Sequence, residues 1–337
     1  MSHIAEQLGL TRQTVSAIIN NRYKALRISE ETAQRVRDEA ARFGYLRNHL
    51  ALAIRTGQNN VIGCLLSGLA DERVSLTLSG LLAEASSLGY LVKIEEVEGD
   101  EAGRIGLNRL IEQRVAALFC CNFHPSAELV DVFAQTVQRY NVAAVACASN
   151  PSLLAHHIAS DDLAGCELAV GHLWKLGHRR IAFVGAAINK LRMDGFVAAM
   201  QRRHVNPPPA FVADVDWDCK KAAEETNRLL SLGKERPTAI FCANDKLAAA
   251  VIREVRNHGL RVPKDLSVVG FSGSTLCESL DPRLISVSQP FLEMGHRCAQ
   301  RLTKALGKAK AVPLKPTSEI VPVTLLKGES TAVAPKK

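Results

Sequence analysis

The sequence predicts two architectures in tandem: an α-helical helix-turn-helix unit, then a larger α/β part of two doubly wound parallel-sheet lobes. Three observations carry this prediction. The string IAEQLGLTRQTVSAIIN, residues 4–20, places apolar residues at helical spacing on both sides of a glycine break. From Val61 onward, short apolar runs alternate with amphipathic helical stretches, the pattern of parallel sheets covered on both faces. Those runs fall into two sets, which suggests two lobes with ligand sites at the carboxyl ends of strands.

The elements follow in order. Ile4, Ala5 and Leu8 recur at helical intervals, and small Ala5 lets a second helix cross closely. Gly9 can take the left-handed backbone that ends a helix. Thr11 is a candidate N-cap for the second helix. That helix turns Val15, Ile18 and Ile19 inward and leaves Arg12, Gln13, Thr14, Ser16, Ala17 and Asn20 on its surface. A recognition helix presents such N-terminal side chains to base edges in the major groove. Two short amphipathic helices also occur in any globular protein, so the spacing alone leaves both readings open.

A polar loop, NNRYKALRI, leads to a third helix. Ser29 is its N-cap, Glu30 and Glu31 suit the positive end of its dipole, and Val36, Ala40 and Phe43 form its inner face. Gly44 ends it. The link LRNHLALAIRTG holds two helical turns, Asn48 to Arg55, too short to persist alone in water. Beyond it, VIGCLLS, LVKIEEV, VAALFCCN, VAAVACAS, RRIAFVG, TAIFCAN and LSVVGFS are strands, with helical patterns between most of them. The tail after Lys327 is expected to fray.

Composition narrows the class. The 337 residues are 47% apolar and 23% charged, ordinary for a globular protein with two or three domains. No window approaches the ~18 consecutive apolar residues of a membrane span, and Met1 leads straight into a polar, amphipathic segment. A cytoplasmic protein without membrane partners is expected. The nine cysteines include no C-x-x-C pair and fit buried hydrophobes better than a disulfide framework or zinc site. Adjacent Cys120 and Cys121 would point to opposite faces of a strand. Net charge is +8, and residues 1–57 carry nine Lys/Arg against five Asp/Glu, half of the excess in a sixth of the chain. Arg12, Arg22, Lys24, Arg27, Arg47 and Arg55 fit a phosphate-facing surface or simply a solvated one.

Taken together, these strings resemble the lactose-repressor/galactose-repressor (LacI/GalR) family of bacterial transcription regulators over nearly the whole chain. IAEQLGLTRQTVSAIIN is similar to the family's helix-turn-helix, ISEETAQRVRDEAARFGY to its third helix, and NHLALAIRTG to its hinge helix. VIGCLL, HLWKLGHRRIAFVG, TAIFCANDKLAAAVI and VPKDLSVVGFS resemble successive signatures of its effector domain. The resemblance implies a DNA-binding domain at 1–45, a hinge at 46–57 and a periplasmic-binding-protein-like effector domain at 58–327. The effector lobes fall at about 60–157 with 289–318, and about 158–288 with 319–327, leaving 328–337 as a flexible tail.

The resemblance further implies a homodimer that binds a double-stranded, palindromic operator and is controlled by a small-molecule effector, a sugar or sugar derivative, with no cofactor or metal. Arg12, Gln13 and Ala17 occupy base-reading places, and Thr11, Thr14, Ser16 and Asn20 occupy phosphate-contact or helix-supporting places. Arg12 can pair with guanine O6 and N7, Gln13 with adenine N6 and N7, and Ala17 can only touch a thymine methyl. Ile54 stands where the family wedges a leucine into the minor groove, although it could merely pack the two hinge helices together. Arg47 replaces a common proline, and NNRYKALRI is longer than usual. Few residues precede the first helix, so either the start lies upstream or a leader's phosphate contacts are missing.

For the effector, the resemblance points to Arg192, Trp217, Asn244, Ser272 and Phe291. Arg192 offers a fork for hydroxyls or a carboxylate, or else forms a surface ion pair. Asn244 would bond hydroxyls while Asp245 supports the loop, Trp217 would stack on a sugar, and Phe291 would wall the cleft or pack. Ser272 replaces a common aspartate and brings no charge, leaving room for an anionic or modified sugar near Arg192. No leucine heptad follows the last strand, which favours a dimer over a tetramer.

Two other classes compete. GFSGS at 270–274 nearly matches a hydrolase G-x-S-x-G elbow but ends in Ser274, and neither His156/His157 nor His172/His178 has metal-spaced companions. An enzyme is therefore disfavoured. A ligand-binding sensor with weak or lost DNA binding is the second alternative.

Overall fold

The structure, a computed structural model, describes residues 1–20, 23–45, 59–147, 153, 155–186, 190–306 and 317–335. The chain divides into two compact units, Met1–Asn59 and Asn60–Lys337.

The first unit holds α1 (Ser2–Gln7), α2 (Arg12–Ile19) and α3 (Glu30–Arg42). Gly9, at φ +61°, ends the first turn-and-a-half, and Leu10 N–H returns to the Ala5 carbonyl at 2.9 Å. The Thr11 hydroxyl accepts the Thr14 N–H at 3.1 Å and the Ser29 hydroxyl accepts that of Thr32 at 3.2 Å, so both predicted caps form. Ile4, Ala5, Val15, Ile18, Ala33, Val36 and Ala40 make the core. Phe43 does not join it: the helix turns the ring out, 52% exposed, and buried Tyr23 fills the space instead. Tyr23 comes from the stretch expected to be a polar loop. Its hydroxyl donates to Glu30 at 2.8 Å, and the Arg37 guanidinium lies 5.2 Å over its ring.

The second unit has two lobes. The first contains β1 (Val61–Leu66), α4 (Glu72–Ser87), β2 (Leu91–Glu96), α5 (Gly99–Glu112), β3 (Ala117–Cys121), α6 (Ala127–Tyr140), β4 (Ala143–Cys147) and β5 (His156–Ser160). The chain then crosses to α7 (Asp162–Lys175), β6 (Ile181–Gly185), α8 (Lys190–Gln201), β7 (Val212–Asp214), α9 (Cys219–Leu230), β8 (Ala239–Cys242), α10 (Asp245–Asn257), β9 (Ser267–Ser272), α11 (Leu276–Ser279) and β10 (Ile285–Ser288). It returns for α12 (Phe291–Leu306) and β11 (Ser318–Val321), and crosses once more to β12 (Thr324–Leu325).

The sheets run β11-β5-β4-β3-β1-β2 and β12-β10-β9-β8-β6-β7, parallel except for β12. Strand order reverses beside β1 in one lobe and β6 in the other, which opens crevices at their carboxyl ends. The inner strands β3, β4, β6, β8 and β9 are buried throughout, as helices on both faces require. Cys120 and Cys121 enter the cores on opposite faces of their sheet. Eight of the nine cysteines are buried, Cys219 being exposed.

Three expectations are corrected. β5, β7 and β10 were not among the predicted strands, because HHIAS, VAD and ISVS are short and mix polar residues into their runs. Both β5 and β11 belong to the first sheet, so those crossovers fall after Ser160 and Val321, slightly later than expected. The tail also does not fray as far as Pro335. Ser330 is fully buried, its hydroxyl donating to the Val268 carbonyl at 2.6 Å and accepting the Ile285 N–H at 2.8 Å. Farther on, the Ala332 carbonyl accepts from His178 Nε2 at 3.0 Å, and Ala334 N–H reaches the Leu176 carbonyl at 2.8 Å. Backbone groups at the amino ends of the sheet find their partners in this tail.

Burial lowers the imidazole pKa of His156, His172 and His178 below 6.5. The unfolded chain then binds protons that the folded chain refuses. Their contribution is fully present above about pH 6.5 and is lost as pH falls through the lower folded values. The thermal midpoint is expected to fall between pH 7.5 and 5.5, above the carboxylate range. A midpoint unchanged over that interval in a circular-dichroism melt would contradict it.

Candidate functional site

In the helical unit, α2 is the candidate reading element. Arg12 and Gln13 are exposed at its start and Thr11 at its cap, while Thr14 and Ser16 are half-buried. Val15 and Ile18 anchor the opposite side in the core. Asn20 closes the helix, its amide donating to the Ser16 carbonyl at 2.6 Å and to the Ser16 hydroxyl at 3.3 Å, which makes it a supporting residue. Ala17 is corrected: it is only 4% exposed, so the expected methyl contact surface is not presented. Its single carbon does not reach past its larger neighbours on the helix. Ile54, Arg47 and the hinge string lie outside the described residues.

In the second unit, a buried ionic network lies at the crossovers between the lobes. Arg192, on the first turn of α8, donates from Nε to Asp162 at 2.8 Å, from Nη1 to the Ala243 carbonyl at 2.6 Å and from Nη2 to Gln289 at 3.1 Å. Its guanidinium lies 3.9 Å over the Phe271 ring, adding a cation–π contact. Asp162 completes the circle, accepting from the Ser160 hydroxyl at 2.6 Å and the Gln289 amide at 3.2 Å. Gln289 also donates to Ser160 at 2.5 Å. Ser160 and Asp162 flank the first crossover and Gln289 follows β10 at the second, so one network ties two of the strands that join the lobes.

The arrangement revises the reading of Arg192. It is neither a surface ion pair nor an open fork awaiting an anion. Its charge is matched by Asp162 in a site where both are at least nine-tenths buried, so a carboxylate ligand gains no uncompensated positive charge there.

A second network holds the loop after β9. Asp245 Oδ1 accepts from the Ser286 hydroxyl at 2.5 Å, and Oδ2 accepts both the N–H and hydroxyl of Ser274 at 2.8 Å. Ser272 is buried with φ +118°, a conformation that costs roughly 1–3 kcal/mol and persists only where its surroundings enforce it. Its carbonyl accepts the Gln289 N–H at 3.1 Å, joining the two networks. Cys277, beneath this loop, has its thiol pushed up to about 12 by burial and by the Asp245 charge.

The remaining predicted residues are placed as follows. Asn244 caps α10, its Oδ1 accepting the Leu247 N–H at 2.7 Å. Trp217 follows β7 on left-handed backbone, φ +59°, and packs partly against the second lobe's cores. Phe291 is buried in the first lobe's core beside Met294 and Cys298, its N–H bonded to Gln289. Arg192, Ser272 and Phe291 each bond Gln289 directly, and the Ala243 carbonyl joins them through Arg192. Sequence reasoning missed Ser160, Asp162 and Gln289. No local signal marked them, because they lie in or just after β5 and β10, short strands whose mixed composition hid them. Among the described residues, no group of three or more His, Cys, Asp or Glu is placed to hold a metal ion.

Comparison with known proteins agrees with the two-lobed fold. A family model described as a periplasmic binding protein-like domain matches residues 170–331. The lactose operon repressor of Escherichia coli (strain K12) is 29% identical over 334 residues, which cover 97% of this chain and 89% of the repressor. The HTH-type transcriptional regulator DegA of Bacillus subtilis (strain 168) is 28% identical over 94% of this chain and 95% of its own. The crystal structure of the lac repressor dimer bound to operator and the anti-inducer ONPF superposes with a TM-score of 0.82 at 28% identity, covering 98% of both chains. The helix-turn-helix, the two parallel-sheet lobes and these full-length matches together place the chain in the LacI/GalR family of transcription regulators.

Proposed function

We propose that this protein is a transcriptional repressor that binds a palindromic operator as a homodimer and is controlled by a sugar or sugar derivative in the cleft between its lobes. The observation that carries the reading is α2: it is capped by Thr11, anchored by Val15 and Ile18, and has Arg12 and Gln13 exposed at its N-terminal turn. That turn is the part of a recognition helix that meets base edges. The lac repressor, matched over nearly the whole chain, is seen as a dimer on its operator. The matched relatives are regulators, not enzymes. Effector and operator then act on one another through the lobes, with a coupling typically ~1–3 kcal/mol that works in both directions.

For the effector, the neutralised Arg192–Asp162 pair favours an uncharged ligand. Asn244 and Ser272 would bond its hydroxyls, and Trp217 would cover one face. Calorimetric titration with neutral sugars and their anionic derivatives tests this, and tight binding by the anionic series alone would refute it.

For DNA, Arg12→Ala is expected to weaken binding to the operator about 5- to 150-fold, the worth of one good bidentate base contact. Binding to random DNA should change far less, because phosphate contacts remain. Salt-dependent gel shift against the protein's own promoter region measures both. Equal losses on the two DNAs would remove Arg12 from the reading set, and no specific retention by the unmodified protein would instead support the sensor.

A further inference from the structure

The loop after β9 is held from both lobes. Its three consecutive N–H groups all have partners. Gly273 donates to the Ser286 hydroxyl at 3.2 Å and Ser274 to Asp245 at 2.8 Å, both within the second lobe. Thr275 donates instead to Glu72 Oε1 at 2.9 Å, on the first turn of α4 in the other lobe, and its hydroxyl reaches Glu72 Oε2 at 3.1 Å. One carboxylate therefore takes both donor groups of Thr275 from the opposite lobe. Beside it, Lys246 of α10 lies 3.6 Å from Asp71, a second and longer link between the lobes.

Both sides of this contact are built rigidly. Asp71 caps α4 by accepting the Arg73 N–H at 3.0 Å and also binds the Arg73 guanidinium at 3.0 Å, which fixes the turn that carries Glu72. On the other side, Ser272 and Gly273 both have positive φ, and a Cβ on Gly273 would lie 2.7 Å from Ser288. Such a loop cannot slide to find another acceptor for the Thr275 N–H. The short helix α11 has no side-chain cap of its own at Thr275.

We propose that Glu72 is a positioning residue of the cleft: it clamps Thr275, holds the Ser272-bearing loop against the opposite lobe, and closes the cleft mouth before any effector binds. The Asp71–Lys246 pair is the weaker strap, since the Lys246 side chain is largely exposed and such pairs contribute little. An effector must then fit behind the clamp or release it on entry, which links ligand size to lobe closure. The proposal rests on the effector-cleft reading above.

The test uses the full chain without DNA or ligand, so its outcome is independent of operator binding, which the gel shift assesses separately. In Glu72→Ala, hydrogen exchange at residues 273–276 should accelerate about tenfold or more as a charge-assisted bond is lost. The small-angle scattering radius should also rise as the mouth opens. Thr275→Val, made from the opposite lobe, should reproduce part of both changes, and Glu72→Ala should add little to it. Thr275→Ser retains both donors and should behave as the unmodified chain. Because the contact lies at the surface, the thermal midpoint should barely move in any of these variants. Unchanged exchange and radius in both Glu72→Ala and Thr275→Val would overturn the proposal, as would equal effects from Thr275→Ser and Thr275→Val.

Discussion

Arg192→Leu is expected to destabilise the second unit by about 3–5 kcal/mol, the range found when one partner of a buried ion pair is removed. The substitution deletes the guanidinium bonds to Asp162, Gln289 and the Ala243 carbonyl together. Asp162 is then left buried with only Ser160 and Gln289 as donors. Arg192→Lys should not restore stability, because an ammonium cannot reproduce three directed bonds and lie flat on Phe271. Combining Arg192→Leu with Asp162→Asn should recover part of the loss by removing the stranded charge. Denaturant unfolding of the three variants measures it. A loss below about 1 kcal/mol for Arg192→Leu would mean that the network is dispensable.

The second large effect is expected where α4 crosses α12. A Cβ on Gly80 would lie 2.0 Å from the Leu292 carbonyl oxygen, and one on Gly295 would lie 2.0 Å from that of Thr77. Each helix thus presses a glycine against the other's backbone, and backbone cannot swing aside as a side chain can. In an unpacked helix, glycine to alanine would help by about 1 kcal/mol. Here Gly295→Ala should instead cost more than about 3 kcal/mol, because separating the helices also loosens Leu78, Leu81, Met294, Cys298 and Leu302 in the core between them. Ser79→Ala, on the exposed side of α4, is the control and should stay within roughly 0.5 kcal/mol. Equal melting of Gly295→Ala and the unmodified protein would show that the helices can part without penalty.

The sequence carried local features well. Thr11 and Ser29 are caps because a hydroxyl before an amphipathic run answers a free N–H three residues on. The inner strands were legible because strands covered on both faces must be apolar throughout. Phe43 and Ala17 were misjudged because helical phase fixes a side chain's direction but not what covers it. The short strands HHIAS, VAD and ISVS escaped because neighbours in the sheet make them strands, whereas their own composition does not.

The tail shows the same limit: polar Ser330 looks solvent-bound in sequence and is fully buried by its bonds to Val268 and Ile285.

The candidate site divides along the same line. Sequence by itself determined the candidate reading helix, the two-lobed class and the family, because each depends on spacing within a short string or on the order of such strings. Tertiary structure alone decided the chemistry of the cleft. Ser160, Asp162, Arg192 and Gln289 are separated by up to 129 residues and meet only where the crossovers converge. Whether Arg192 greets a ligand or balances Asp162 is a matter of a few ångströms between distant segments. Charge compensation and burial are properties of the assembled surroundings, and no single stretch of the chain contains them.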